Sequence, residues 1–224
     1  MIADDIAQAG TSIWLDDLSR SKISGTNSLS LPTRIKNSGV VGVTTNPSIF
    51  NSAITGSVDY ASDIAAMKTL SPEEIVKKLT TDDVRQACDL FSEIYAKTAG
   101  VDGRVSIEVD PRLAHETQKT INEGKELWAL VNRSNLMIKV PATLAGLPAI
   151  TELIASGISV NVTLIFSCQR YEEVIDAFIA GVEEATKRGN DVSQIHSVAS
   201  FFISRIDTAV DQALKKINTA ESVA

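Results

Sequence analysis

The chain has 224 residues, 44% of them hydrophobic and 22% charged, enough to bury the core of one globular domain and at odds with disorder. Its net charge of −7 opposes general nucleic-acid binding, yet leaves room for a local cationic pocket suited to a small phosphorylated substrate. No apolar run approaches the roughly 20 residues of a bilayer span, and the acidic start MIADDIAQAG has neither the basic nor the apolar region of a secretory leader, so a cytoplasmic protein without membrane contact is expected.

In chain order, SIWLD (12–16) is the first β-type run, followed by a short helical stretch around 32–38 and a second run, VVGVT (40–44). Residues 47–103 read as mostly helical. Within them Ser71, Pro72 and Glu74 supply a cap, a first-turn proline and a capping-box glutamate. Val84, Ala87, Cys88, Phe91 and Ile94 then recur at helical spacing. From Val105 onward, β-type runs near 105–109, 136–140, 158–163 and 195–199 alternate with helical runs near 112–133, 145–156 and 169–188. That alternation is the pattern of a parallel sheet covered by helices. The third of these helices gathers Val174, Ile175, Phe178, Ile179 and Val182 on one face, with Gly189 as its stop. A last helical run begins near Phe202 and fades into the polar tail NTAESVA. Cys88 and Cys168 lack CxxC spacing and a nearby histidine, which makes them reduced thiols used as small apolar residues. With only His115 and His196 in the chain, no histidine-rich metal site is expected.

Alternate side chains of a strand point to opposite faces, so each strand can be read with period two. Val105, Ile107 and Val109 share one face, and Ser106, Glu108 and Asp110 the other. Val160, Val162 and Leu164 alternate with Asn161 and Thr163, and Ile13 and Leu15 with Ser12, Trp14 and Asp16. One face suits helix packing while the other collects polar groups. A doubly wound sheet would need both faces apolar; a parallel barrel explains both, because its inward residues converge on an axis. The expected fold is therefore α/β, a (β/α)8 TIM-barrel type with about six strands present, as a single partial domain over 1–224 with a helical insert near 47–103.

Functional groups of such barrels sit at the C-terminal ends of strands, where Asp16, Asn46, Glu108, Lys139 and Thr163 fall. Lys139 is the residue that demands a reason, since it stands among Leu136, Met137, Ile138 and Val140 and a buried ammonium is costly unless paired or neutralised. Desolvation favours the neutral form of an amine, which can attack a carbonyl and form a Schiff base, with carboxylates such as Glu108 and Asp16 moving protons. Each residue also has a plainer reading. Lys139 fits a snorkelling edge position, Glu108 a structural ion-pair partner, Asp16 a turn cap, Asn46 before Pro47 an ordinary turn, and His196 a core or surface residue. It is the coincidence at successive strand ends that favours chemistry.

The segments SIWLDDLSR, GVTTNPSIF, SIEVDPRLA, MIKVPATLAG, NVTLIFS and SVASFFISRID together resemble the transaldolase family, Schiff-base-forming transferases of the class I aldolase type in the pentose phosphate pathway. They occur in family order over roughly residues 10 to 210. The resemblance implies transfer of a dihydroxyacetone unit from sedoheptulose 7-phosphate or fructose 6-phosphate to an aldose phosphate, without metal or organic cofactor. It implies Lys139 as the Schiff-base lysine, Glu108 as the acid/base acting with a water, and Asp16 as the aspartate assisting carbon–carbon cleavage. Asp16 is preferred to Asp17 because it keeps parity with Trp14. Asn46, Asn161 and Thr163 are implied to orient donor hydroxyls and the catalytic water, Ser200 and Arg205 to bind phosphate, and Phe202 to line the pocket.

The family closes eight strands, whereas only six are found here, with no counterpart of the seventh and eighth. Open sheet edges would then invite self-association. Two other functions follow as alternatives: a related aldolase releasing the three-carbon unit, and a catalytically impaired fragment acting as a binding module.

Overall fold

The computed structural model describes residues 2–219 and Ser222; Met1 and, from the expected polar tail, Ala220, Glu221, Val223 and Ala224 lie outside the described residues. The chain opens with α1 (Ile2–Gln8), a helix the sequence reading did not anticipate, and β1 (Ile13–Asp16). Two short helices, α2 (Arg20–Ser24) and α3 (Leu31–Asn37), lead to β2 (Val40–Thr44). The stretch from 47 to 97 folds into α4 (Pro47–Gly56), α5 (Ala61–Ala66) and α6 (Pro72–Lys97). The remainder alternates as read: β3 (Arg104–Glu108), α7 (Thr117–Val131), β4 (Leu136–Pro141), α8 (Gly146–Ala155), β5 (Val160–Ile165), α9 (Cys168–Lys187), β6 (Ser197–Phe201) and α10 (Ile203–Ile217).

The six strands form one parallel sheet in the order β1-β2-β3-β4-β5-β6, curled into a half-barrel with β1 and β6 as its edges among the described residues. Its curl is visible in bonds that skip a strand. The Lys139 Nζ on β4 donates to the carbonyl of Thr45, just after β2, at 3.1 Å, and the Asn161 Nδ2 on β5 donates to Ser106 Oγ on β3 at 3.0 Å. Side chains of a flat sheet, with strands ~4.8 Å apart, would run parallel, two strand spacings apart, rather than converge.

The convex face carries the apolar core. Val43, Val105, Ile107, Val109, Ile138, Val140, Val160 and Val162 are buried there against Phe91 and Val84 of α6, Leu127 of α7, Ile150 and Leu153 of α8 and Val174 of α9. Of these, period two assigns Val105, Ile107, Val109, Val160 and Val162 outward, whereas Leu164, read outward with them, stands in the irregular part of β5. Helix α6 begins with the anticipated capping box, in which the Ser71 side chain accepts from the Glu74 backbone and Glu74 returns to Ser71. Helix α7 starts five residues later than read, because Pro111–Leu113 forms a separate 3₁₀ turn capped by Asp110. Between α6 and β3, Gly103 has φ +77° and lies so close to Tyr95 that a Cβ would meet its backbone nitrogen at 2.4 Å. Only glycine serves that turn.

Polar ties hold the outer layer in place. Asn135 donates to the carbonyls of Cys88 and Gly103 at 2.9 and 2.8 Å, joining α6 to the sheet. Glu152 on α8 accepts from Lys125 on α7 and from Arg188 beyond α9, and these bonds, that from Arg188 first, hold its carboxyl down to about 2. No helix among the described residues is long and apolar enough to cross a membrane, and none of them form a group of three or more histidine, cysteine, aspartate or glutamate side chains able to hold a metal ion.

Candidate functional site

Strand β4 places Met137 and Lys139 on the concave face, and register pairs Lys139 with Glu108 on one side and Asn161 on the other. Lys139 is 4% exposed. Its Nζ lies 3.4 Å from Glu108 Oε2 and donates to the Thr45 carbonyl. Burial pushes the Glu108 carboxyl above the usual glutamate range; the charge and hydrogen bond of Lys139 oppose that push, Asp16 adds to it, and Arg205 opposes it. Asp16 of β1 and Arg205 of α10 thus both act on the Glu108 charge through space.

The expected residues separate by surroundings. Asp16 ends β1, exposed and without a hydrogen-bond or ion-pair partner among the described residues, while Asp17 pairs with Lys22 of α2. Asn46 caps α4, its Oδ1 accepting from the Ile49 backbone at 3.0 Å. Asn46 is thus a helix N-cap rather than a residue of an ordinary turn. Asn161 is buried and doubly held, donating to Ser106 Oγ and accepting from Ser200 Oγ at 2.8 Å. Thr163 is buried too, yet its hydroxyl has no partner. Buried polar groups are nearly always satisfied, which makes this hydroxyl an exception.

At the open flank, Phe202 caps the start of α10, and the guanidinium of Arg205 lies over its ring, 4.3 Å from the centroid. Arg205 is exposed and can reach an anion in solvent. His196 belongs to the opposite, N-terminal end of the sheet, where burial and then the charge of Arg104 hold its imidazole below the usual value.

Three contributors escaped the sequence reading. Thr45 positions Lys139 through its carbonyl and donates its own hydroxyl to the Ser106 carbonyl at 2.7 Å. Ser106 anchors Asn161; parity had already turned it inward. The third is Phe166, whose ring centroid lies 6.0 Å from that of Phe202.

Backbone geometry shapes both walls. Gly42 is paired with Trp14, whose indole occupies the space of the missing side chain, so that a Cβ would stand 2.6 Å from the ring. On β5 the register shifts between Val162 and Ile165, and Leu164 adopts φ +62°, a left-handed conformation costing an L-residue roughly 1–2 kcal/mol. A cavity of about 670 Å³ opens beside the site, lined among others by Asn46, Phe50, Val76, Ile107, Glu108 and Arg112. A second cleft of about 560 Å³, between α8 and α9, lies away from these residues.

This arrangement offers a sealed amine, a carboxyl tuned upward beside it, a solvent-facing carboxylate, neutral hydrogen-bonding groups and a cation at the rim. A buried amine beside a carboxyl is an arrangement able to carry out nucleophilic and acid–base chemistry. Residues 13–224 match the sequence model of a family described as Transaldolase/Fructose-6-phosphate aldolase. The chain is 53% identical over 221 residues to the transaldolases of Mycobacterium ulcerans (strain Agy99), covering 98% of this chain and 58% of that protein, and of Mycolicibacterium smegmatis, covering 98% and 59%. It is also 53% identical over 220 residues to that of Mycobacterium tuberculosis H37Rv, covering 97% and 58%. The chain thus spans less than two thirds of the length of these relatives.

Proposed function

The chain belongs to the transaldolase/fructose-6-phosphate aldolase family, and from that premise we propose that it transfers a dihydroxyacetone unit from sedoheptulose 7-phosphate or fructose 6-phosphate to an aldose phosphate, as an enzyme of the pentose phosphate pathway. One observation carries this reading: Lys139 Nζ is buried on the concave face, 3.4 Å from Glu108.

Lys139 adds to the ketose carbonyl to give a carbinolamine, which loses water to form the iminium. Glu108, with its affinity for a proton raised by burial, gives and takes the protons of that step through water. The iminium then accepts the electron pair of the breaking C3–C4 bond while Asp16 takes the proton of the C4 hydroxyl. An aldose phosphate departs and the three-carbon enamine remains on Lys139. Addition of the enamine to the acceptor aldehyde reverses these events, and hydrolysis frees the lysine. The iminium itself is the electron sink, so the chemistry calls for no metal or organic cofactor.

Asn46, Asn161 and Thr163 orient the donor hydroxyls and the water, Ser200 and Arg205 receive the phosphate, and Phe202 lines the pocket. The partners are sugar phosphates, with the free edges of β1 and β6 offering a surface for self-association. Residues 1–224 act as one partial barrel domain of a cytoplasmic protein.

A related aldolase, releasing dihydroxyacetone, is the second reading, since the family description covers both activities; the three helices between 47 and 97 favour transfer. Incubation with fructose 6-phosphate and borohydride, followed by peptide mapping, is expected to find a reduced three-carbon adduct on Lys139. Absence of that adduct from folded protein removes the catalytic reading. Given the adduct, adding erythrose 4-phosphate separates transfer from release of free dihydroxyacetone, and the appearance of neither identifies an impaired fragment that only binds.

A further inference from the structure

The irregularity in β5 has a directional effect. Between the pairs Val162–Ala199 and Ile165–Phe201, β5 takes three steps where β6 takes two, which is one extra residue, with Leu164 left-handed inside it. In a regular strand Ile165 would share the concave face of Asn161 and Thr163, and Phe166 would join the core. The bulge reverses this. Ile165 is buried in the convex core with Val160 and Val162, while Phe166, 49% exposed, meets Phe202. On β6 no such inversion occurs: Ser200 reaches Asn161 on the concave side, and Phe201 packs edge-on against Tyr171 of α9 at 5.0 Å.

We propose that the bulge at Leu164 exists to deliver Phe166 to the concave face, where its ring braces Phe202 and, through Phe202, the Arg205 guanidinium, making Phe166 a positioning residue for the phosphate end of the substrate. Phe166, Phe202 and Arg205 form a continuous row, the two rings tilted by 34° with centroids 6.0 Å apart and the guanidinium carbon 4.3 Å from the centroid of the second ring. Both separations fall within the ranges in which aromatic pairs and cation–π contacts are favourable. An exposed arginine otherwise spreads over many rotamers, and a ring held from behind narrows that choice before the anion arrives.

The proposal rests on the phosphate role given to Arg205 above, and its test separates the two. In Phe166→Ala the KM for fructose 6-phosphate is expected to rise about three- to tenfold, the range such a contact is worth, with kcat little changed and the KM for unphosphorylated fructose unmoved. A residue that merely supports the fold would shift both donors alike, and that result, or no shift at all, overturns the proposal. A second readout needs no turnover. The side-chain Nε–H resonance of Arg205, assigned with Arg205→Lys, should show the ring-current displacement of a stacked guanidinium in the unaltered protein and in Leu164→Gly, and lose it in Phe166→Ala. Leu164→Val, whose β-branch resists the left-handed backbone, should lose it as well; should that variant fail to fold, Phe166→Ala decides. An Arg205 resonance indifferent to Phe166→Ala overturns the proposal even if no adduct ever forms on Lys139, whereas a missing adduct with the expected NMR change removes only the catalytic reading.

Discussion

Glu108 and Lys139 are register partners on neighbouring strands, their Oε2 and Nζ 3.4 Å apart and their side chains 9% and 5% exposed. Such a pair is poor evidence of stability, because desolvating two ions offsets most of their attraction; removing one partner, however, strands the other. Glu108→Gln leaves Lys139 without its counter-charge and is expected to cut kcat by about 10²–10⁴ through loss of the proton shuttle. Lys139→Met should abolish the borohydride-trapped adduct at little stability cost, since the remaining carboxyl can protonate.

Glu108 and Glu152 should shape the pH dependence of stability in opposite senses. Burial raises Glu108 above its ordinary 4.5, so the folded state holds the proton more tightly than the unfolded one. Its contribution is complete below 4.5 and is lost as pH rises through the folded value. Glu152, held at about 2 chiefly by Arg188, contributes fully above 4.5 and loses that contribution as pH falls toward 2. Denaturation midpoints of Glu108→Gln should accordingly decline less than the reference from pH 4.5 into the neutral range. Those of Glu152→Gln should decline less on acidification between 4.5 and 2. A slope left unchanged by either substitution contradicts the corresponding assignment.

Much of this was legible because a half-buried parallel sheet imposes a strict rule. Every strand lies within two residues of its expected bounds, and Glu108, Lys139, Asn161 and Thr163 face inward as parity requires. What parity cannot convey is curvature. That the carbonyl of Thr45 reaches Lys139 depends on β2 and β4 closing toward each other across β3, and nothing local in TTNP encodes it. Phe166 was hidden for another reason: it follows the bulge at Leu164, which breaks the period-two rule. Parity with Trp14 prefers Asp16 to Asp17, and what the sequence could not show is that Lys22 engages the latter.

The contact of Trp14 with Gly42 supplies a test of how tightly the β1 wall is built. A methyl group at position 42 would sit 2.6 Å from the indole, and neither strand can yield without shifting the pair. Overpacking of this kind costs typically 1–3 kcal/mol. Gly42→Ala should therefore lower the thermal midpoint and, by displacing β1, slow carbon–carbon cleavage at Asp16 more than adduct formation at Lys139. Comparing the rate of aldose release with the rate of borohydride trapping separates the two steps, and a uniform loss of both would place the damage in the fold rather than at Asp16.

Thr163 offers a case in which function and stability should part. Its hydroxyl is buried and unpartnered, a condition that costs about 1–3 kcal/mol of desolvation with no compensating bond. Replacing threonine with valine usually harms a core because a bonded hydroxyl is lost; here no bond exists to lose, and valine keeps both the volume and the β-branched preference for a strand. Thr163→Val should therefore raise stability by about 1 kcal/mol while slowing formation of the Lys139 adduct, since the group kept free for the water or the donor is gone. Stopped-flow or quenched borohydride trapping, set beside denaturation of the same preparation, checks both signs. A variant that is less stable would show that Thr163 is already satisfied, and one that is more stable with an unchanged trapping rate would remove Thr163 from the chemistry.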